Sequence, residues 1–408
     1  MSETNAELQQ RYDELRAKNL SLDLTRGKPS PEQLDLSNAL LSLPGEGDFR
    51  DASGADLRNY GGPDGLLELR AIFGELLNVP TGQLLAVGNA SLALMHDTIV
   101  HALLHGVAGG AGPWRDVDNL AFLCPVPGYD RHFSICEALG IRMIPVPFVD
   151  GRLDLETIAR LVADDASIRG MWCVPMYSNP TGITYTVEEV ETLVEMSTAA
   201  PDFRLFWDNA YAVHHLTDDE PAVIDVLEAA VTAGNPDRPL VFASTSKITL
   251  PGAGVAFIGG SAGNIAWFRH HSSVQTIGPD KLNQLRHLRM LTSVDGVRRQ
   301  MRAHRAIVEP RFTAVIGILE RRLSGVATWS SPSGGYFISL EVPAGVASQA
   351  IALAGAIGVA VTPAGSTFPY RRDPDDTNIR IAPTFPSLAE LEAAIDALCT
   401  CVLLAASR

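Results

Sequence analysis

The middle of the chain alternates short, near-continuous apolar runs with amphipathic helical patterns. Apolar runs of this length are typical of strands that are buried on both faces. When helices separate such strands, the pattern predicts a mostly parallel sheet of the α/β class with helices on both faces. The predicted strands are residues 119–124, 141–146, 170–174, 203–208, 240–243 and 255–259, and the predicted helices are residues 129–139, 153–162 and 187–198.

The two ends of the chain carry different patterns. Residues 1–47 hold one helical pattern and a Pro-rich extended stretch. From about residue 296 a long helical pattern precedes two strand-like segments, GGYFISLEV and TNIRIAPTF, and a closing helical pattern. We therefore predict a large domain over residues 48–295 and a smaller α+β domain formed jointly by residues 1–47 and 296–408.

Composition narrows the classes of partner. The 408 residues carry a formal charge of −15 without a basic block, which argues against nucleic acid and anionic membranes. The polar N-terminal segment MSETNAELQQRYDELRAKNL does not have the pattern of a secretory signal, and no apolar stretch has the length of a membrane span. Five cysteines fit no zinc or disulfide spacing and predict buried, reduced thiols. We expect a cytoplasmic protein that acts on small molecules.

Polar groups follow the predicted strands at their carboxyl ends, where open parallel sheets bind their ligands. These groups are Tyr129, Arg131 and His132 in PGYDRHF, Asn179 in SNPTG, Asp208 and Tyr211 in DNAY, and Ser244, Ser246 and Lys247 in STSK. A further turn, Asn89–Ala90–Ser91, opens a helical pattern whose free N–H groups suit a phosphate.

Each of these features has an ordinary structural interpretation when it is taken alone. Asp208 could cap a helix, NPTG could be a simple turn, Lys247 could be a solvated loop residue, and His132 could be structural. Together they supply a phosphate cradle, an aromatic plate, a carboxylate, hydrogen-bond donors and one lysine. Pyridoxal phosphate requires that combination of groups.

Several motifs, in matching order and spacing, carry a family resemblance over nearly the whole chain. They are NYGGPDGLLELR, SNPTG, DNAY, STSK and NIRIA. On these motifs the sequence resembles the class I aminotransferases, which are pyridoxal-phosphate enzymes of fold type I. The wording of LDLTRGKPSPEQLDLS, PGYDRHF and GPDKLNQLRHLRML is similar to the subgroup Ic aspartate aminotransferases.

The resemblance implies roles for the cofactor-binding residues. Lys247 would form the Schiff base and move the proton, Asp208 would pair with the pyridine nitrogen, and His132 would support Asp208. The ring would stack on Tyr129, and its oxygen would accept hydrogen bonds from Asn179 and Tyr211. The phosphate would bind Asn89, Ala90, Ser91, Ser244 and Ser246, together with Tyr60 of the neighbouring subunit, which implies a homodimer.

One position departs from the family pattern. Many members carry a phosphate-binding arginine about eight residues after the lysine, whereas this sequence has Gly254 there. The phosphate would then depend on N–H groups and hydroxyls or on another cation, and the subgroup Ic proteins share the change.

The resemblance also implies how substrates bind. Arg380 would take the α-carboxylate with Gly27 beside it. For a distal carboxylate we favour Arg131, then Arg26 and Lys28, and then Arg286 or Arg289. We predict an aspartate:2-oxoglutarate aminotransferase with a ping-pong Schiff-base mechanism.

Several other functions remain open on the sequence alone. One is transamination of another amino acid, either aromatic or 2-aminoadipate, and another is a carbon–sulfur β-lyase activity. The minor alternatives are a ligand-sensing transcriptional regulator and an inactive scaffold.

Overall fold

Helices and strands alternate along the chain in the structure, a computed structural model that describes residues 3–25 and 27–407. Its helices are α1 Asn5–Ala17, α2 Pro31–Asp35, α3 Leu67–Leu77, α4 Ser91–His105, α5 Asp130–Ala138, α6 Leu155–Asp164, α7 Val187–Glu195, α8 Val226–Thr232, α9 Ala262–Ser272, α10 Lys281–Leu291, α11 Val294–Leu323, α12 Ala347–Ala356 and α13 Leu388–Ala406. Its strands are β1 Leu22–Asp23, β2 Leu84–Ala86, β3 Ala121–Val126, β4 Arg142–Val149, β5 Arg152–Leu153, β6 Ile168–Cys173, β7 Arg204–Asp208, β8 Pro239–Ser244, β9 Ala256–Gly260, β10 Thr328–Trp329, β11 Ile338–Glu341, β12 Val359–Ala360 and β13 Asn378–Ile381.

The largest sheet of the described chain has eight strands in the order β2-β9-β8-β7-β6-β3-β4-β5. The five strands β8, β7, β6, β3 and β4 pair with one another in parallel, whereas β9 is antiparallel to β2 and β8, and β5 is antiparallel to β4. The predicted mostly parallel sheet is therefore confirmed. Each predicted strand and helix of this region is present, with ends that differ by at most three residues.

Both faces of the sheet are covered, as strand β7 illustrates. All of its residues are buried, and successive side chains point to opposite faces. Leu205 and Trp207 pack with α3, α6, α7 and α8, whereas Phe206 packs with α4, α5 and α9. A strand with helices on both sides has no polar face, which explains why these segments are near-continuous apolar runs.

A third apolar cluster joins the two ends of the chain. It contains Leu8 and Leu24 from the N-terminal segment, together with side chains of α12, α13 and strands β11 to β13. Helix α11 belongs to two clusters, because Met301 packs under the large sheet and Val308 packs with the chain ends. The change of packing partner falls inside α11, and the domain bounds at 47/48 and 295/296 remain a prediction.

The membrane and cysteine predictions can be compared directly with the described residues. None of their helices has the length and apolar character needed to cross a bilayer. Cys124, Cys136, Cys173, Cys399 and Cys401 are all buried and free of disulfides, as predicted.

A short parallel pair of strands directs the N-terminal segment toward the carboxyl ends of the large sheet. Strand β1 pairs with β12, with Leu22 N–H donating to the Gly358 carbonyl at 3.0 Å. Gly358 has φ of +84°, and a Cβ there would collide with the carbonyl oxygen of Leu20. The glycine therefore allows the close approach that leads the chain on to Gly27.

We expect Gly358→Ala to destabilise the protein by about 1–3 kcal/mol, because it adds left-handed strain and a backbone clash. Gly355→Ala is the matched control, since Gly355 is exposed near the end of α12 and a Cβ there meets no atom within 4 Å. The control should be neutral or stabilising by up to about 1 kcal/mol. Urea unfolding followed by circular dichroism measures both, and equal effects would contradict the explanation.

Candidate active site

A cavity of about 810 Å³ opens at the carboxyl ends of the parallel strands. Residues that follow different strands meet there because parallel strands end at the same edge of the sheet. Most of the predicted residues line it: Gly27, Lys28, Ala90, Ser91, Tyr129, Arg131, Asn179, Asp208, Tyr211, Ser244, Ser246, Lys247 and Arg380.

Asp208 provides a buried carboxylate at the bottom of the cavity. Asp208 is 3% exposed, and its Oδ2 lies 3.0 Å from Nε2 of His132. His132 is held by parallel stacking on Trp172 at 4.2 Å and an edge contact with Tyr129. Oδ1 of Asp208 is buried and has no hydrogen-bond partner among the described residues. A buried, unpartnered carboxylate oxygen needs a donor, and the protonated pyridine nitrogen of pyridoxal phosphate fits that need.

The amine of Lys247 shares the cavity with this carboxylate. Its Nζ lies 5.0 Å from the centre of the Tyr211 ring. Desolvation lowers the pKa of Lys247, and the nearby Asp208 carboxylate opposes that shift. Burial raises the pKa of Tyr211 well above its ordinary value, so this phenol remains a neutral donor. Burial, followed by the charge of Asp208, raises the pKa of Tyr129 to about 12.

A hydrogen-bond network that the sequence did not reveal holds the lysine turn. Thr245 accepts from the backbone N–H of Val255 at 2.9 Å and lies 3.3 Å from Nε2 of His287. Thr249 lies 2.9 Å from the same nitrogen. Nδ1 of His287 lies 2.8 Å from the carbonyl of Asn283, an acceptor, so Nδ1 donates and Nε2 is the acceptor that faces the two threonine hydroxyls. Helix α10 thereby fixes the turn that presents Lys247.

The beginning of helix α4, where the phosphate cradle is predicted, lies at the cavity. Its N-cap residue Ala90 offers no side-chain hydrogen bond, so the first N–H groups are not capped by a side chain. The hydroxyl of Ser244 donates to that of Ser246 at 2.9 Å beside this terminus. Asn89, in contrast, is not among the residues that line the cavity.

Gly254 now has a structural explanation. A Cβ at this position would lie 3.1 Å from the carbonyl oxygen of Asn89 and 3.3 Å from Oγ1 of Thr245. A side chain there would be tightly packed, and the lysine turn or the start of α4 would have to move by a few tenths of an ångström to admit it.

Arg380, the residue predicted to bind the α-carboxylate, lies on strand β13. It is 6% exposed, and its Nη1 donates to Asp130 Oδ1 at 2.7 Å and to Asn179 Oδ1 at 3.4 Å. Its Nε is buried without a partner among the described residues. The guanidinium lies 5.0 Å from the ring of Phe337, and a Cβ on Gly27 would collide with that ring. The sequence did not single out Asp130 or Phe337.

The other candidate cations occupy different surroundings. Lys28 lines the cavity but lies 3.8 Å from Asp23 and above the ring of Phe385. Arg286 donates to the Leu43 carbonyl, and Arg289 pairs with Asp48; neither lines the cavity. Arg26 lies outside the described residues. Arg131 is exposed at the cavity and has no ion-pair partner within residues 3–25 and 27–407.

Tyr60 lies away from this cavity. It is 82% exposed and lines a shallow pocket with Val274, Ile277 and Gly278. Its predicted contact with the phosphate of a neighbouring subunit remains a prediction.

Known proteins match this chain over almost its full length. The family model described as aspartate amino-transferase matches residues 1–408. A Mycolicibacterium smegmatis protein named an aminotransferase is 60% identical over 407 residues, which are 98% of this chain and 95% of that one. The Corynebacterium glutamicum aspartate aminotransferase is 50% identical over 404 residues, 98% of this chain and 93% of that one.

The fold agrees with the sequence comparison. The crystal structure of an aspartate transaminase from Corynebacterium glutamicum matches with a TM-score of 0.97 at 50% identity, and the match covers 99% of this chain and 95% of that one. The chain therefore belongs to the aspartate aminotransferase family and is a pyridoxal-phosphate-dependent aminotransferase of fold type I.

Proposed function

We propose that this aminotransferase uses aspartate as its amino donor and 2-oxoglutarate as its acceptor. The observation that carries the proposal is the presence of two separate guanidinium groups, Arg380 and Arg131, in one cavity with Lys247. Both substrates are dicarboxylates, so each has an α-carboxylate and a distal carboxylate to bind. The Corynebacterium glutamicum relative, which is named an aspartate aminotransferase, supports the same substrate.

Arg380 binds the α-carboxylate in this proposal. Asp130 balances its charge before substrate arrives, and the buried Nε is available as a further donor. A planar guanidinium can hold a carboxylate through two parallel hydrogen bonds, which fixes orientation as well as position. Phe337 supports the guanidinium from the side of Gly27.

The remaining groups divide the cofactor chemistry among them. Pyridoxal phosphate, when bound, supplies an aldehyde for covalent attachment of an amine and a ring that withdraws electrons. Asp208 holds the proton on the pyridine nitrogen, Asn179 and Tyr211 donate to the ring oxygen, and the first turn of α4 binds the phosphate. Lys247 takes the proton from the substrate Cα, since desolvation favours its unprotonated amine.

The proposal includes a homodimer in the cytoplasm. Tyr60, Val274 and Ile277 are strongly exposed and line one pocket, and an exposed apolar patch of this kind suits a subunit interface. Tyr60 would then reach the partner's phosphate. Five buried free thiols are typical of a reducing compartment.

Lys247→Ala should abolish transamination, because Lys28, the other lysine among the described residues that line the cavity, lies near Asp23 and not at the end of β8. In the unmodified protein, borohydride reduction followed by peptide mass mapping should place the reduced cofactor on the peptide that contains Lys247. The peptide with Lys281, whose amine donates to two backbone carbonyls, serves as the control. An unmodified Lys247 peptide from fully loaded protein would contradict the assignment.

Arg131→Gln should reduce kcat/KM for aspartate by about tenfold to a thousandfold, which corresponds to about 1.4–4 kcal/mol for a charge-assisted contact. Alanine has no distal carboxylate, so its kcat/KM should change little. Arg142→Gln is the control, since Arg142 pairs with Asp165 at the surface. An unchanged kcat/KM for aspartate would remove Arg131 from the distal site.

Tyr60→Phe should weaken cofactor binding by about 0.5–1.5 kcal/mol, because it removes one hydrogen bond to the partner's phosphate. Ile277→Asp should convert the dimer to monomers in light scattering. Val231→Asp should not, because Val231 is also an exposed apolar residue but does not line the Tyr60 pocket. Cofactor affinity that is the same for the wild type and Tyr60→Phe would contradict the shared site.

A further inference from the structure

One wall of the cavity is a loop from the C-terminal part of the chain. Ser366, Phe368 and Arg371 line the active-site cavity. The other side of the same loop lines a neighbouring cavity of about 830 Å³, where Arg372 is found. Two consecutive arginines thus belong to two different cavities, and only Arg371 belongs to the active site.

Hydrogen bonds fasten this loop to the large sheet. The backbone N–H of Gly128 donates to the Thr367 carbonyl at 2.7 Å, just before Tyr129 and α5. The hydroxyl of Tyr370 accepts from the backbone N–H of Met143 in β4 at 2.9 Å. The turn formed by residues 369–371 also packs against α5, the helix that carries Arg131. The loop therefore holds Arg371 on the same side of the cavity as α5.

The backbone at this point is strained. Tyr370 and Arg371 both have φ of +57°, a conformation that residues with a Cβ rarely adopt. Gly365 has φ of +73°, and a Cβ there would collide with the Arg371 carbonyl oxygen. Strained residues persist where the surrounding structure holds them, and they concentrate at functional sites. The turn at residues 369–371 and the hydrogen bonds of Thr367 and Tyr370 together fix the position of residue 371.

The charges of the cavity leave two cations uncommitted. Lys28 lies near Asp23, Arg380 pairs with Asp130, and Lys247 is required as the reactive amine. Arg131 and Arg371 line the cavity, are exposed, and have no ion-pair partner in the described part of the chain. On a protein with a net charge of −15, unpaired guanidinium groups in a cavity indicate an anionic ligand.

We propose that Arg371 binds the distal carboxylate of the substrate together with Arg131 and so determines the preference for dicarboxylates. The inference rests on the proposed function, because it assumes that both substrates carry that second carboxylate. Aspartate and 2-oxoglutarate differ by one methylene in length. Two guanidinium groups on adjoining elements, α5 and the loop, offer donors to the distal carboxylate from two directions and so can serve both lengths.

Three variants separate the side chain of Arg371 from the shape of the loop. Arg371→Gln should lower kcat/KM for aspartate by about tenfold to a hundredfold. The kcat/KM for alanine as the amino donor should stay within about twofold of the wild type. Arg371→Gly should show the same selective loss with an unchanged or higher unfolding temperature, since glycine tolerates the positive φ. Arg372→Gln, in the neighbouring cavity, should leave both donors unchanged.

Binding of an unreactive probe gives a second readout that is independent of turnover. Calorimetry with the loaded enzyme should show that Arg371→Gln weakens succinate binding by at least about tenfold, whereas acetate binding stays unchanged. Combining Arg131→Gln with Arg371→Gln should cost less than the sum of the two single losses, because both groups bind one carboxylate.

The outcomes distinguish a wrong role for Arg371 from a wrong substrate for the enzyme. Arg371→Gln could lower kcat/KM equally for aspartate and alanine, or Arg371→Gly could keep the wild-type kcat/KM for aspartate. Either result would show that the arginine acts through the shape of the loop, and the inference would be wrong. If Arg131→Gln is selective and Arg371→Gln is not, this inference alone fails. If the wild type uses alanine as well as aspartate and does not bind succinate, the proposed function itself fails.

Discussion

The parallel register of β6, β7 and β8 is the constraint on which the site depends. Strand β7 pairs with β8 so that Asp208 lies opposite Phe242. The carboxylate therefore leaves the sheet at the edge where the turn after β8 presents Lys247. A slip of one residue would direct every β7 side chain to the opposite face and would turn the Asp208 carboxylate away from His132. The apolar layers on both faces resist that slip, so the core packing also secures the spacing of the reactive groups.

The buried charges of the site are each matched on one side and open on the other. Asp208 contacts His132 through one oxygen, and its second oxygen is unpartnered among the described residues. Arg380 contacts Asp130 through Nη1, and its Nε is unpartnered in the same part of the chain. A buried charge with no partner at all would be costly, whereas a half-satisfied one keeps its geometry and still favours a ligand. This arrangement is electrostatic preorganisation, in which the protein orients its charges before the ligand arrives.

The two ends of the chain contribute what the large sheet does not provide. The sheet supplies the lysine, the carboxylate and the start of α4, all of which line the cavity. Strand β13 supplies Arg380, and the N-terminal segment supplies Gly27, whose missing side chain admits the Phe337 ring. Helix α11 packs with both groups of elements. The position of a substrate therefore depends on how the smaller cluster packs on the larger one.

The strands, their parallel arrangement and the polar residues that follow the strands into the cavity were predictable because they depend on local features. Periodicity shows which segments are buried, and short motifs such as STSK and DNAY show which groups follow each strand. The sequence did not reveal that Asp130 pairs with Arg380, that His287 supports the lysine turn, or that Arg371 lines the cavity. It also placed Asn89 in the cradle, whereas the cavity is lined by Ala90 and Ser91. Contacts between residues hundreds of positions apart leave no local pattern, because only the packing of the folded layers brings them together.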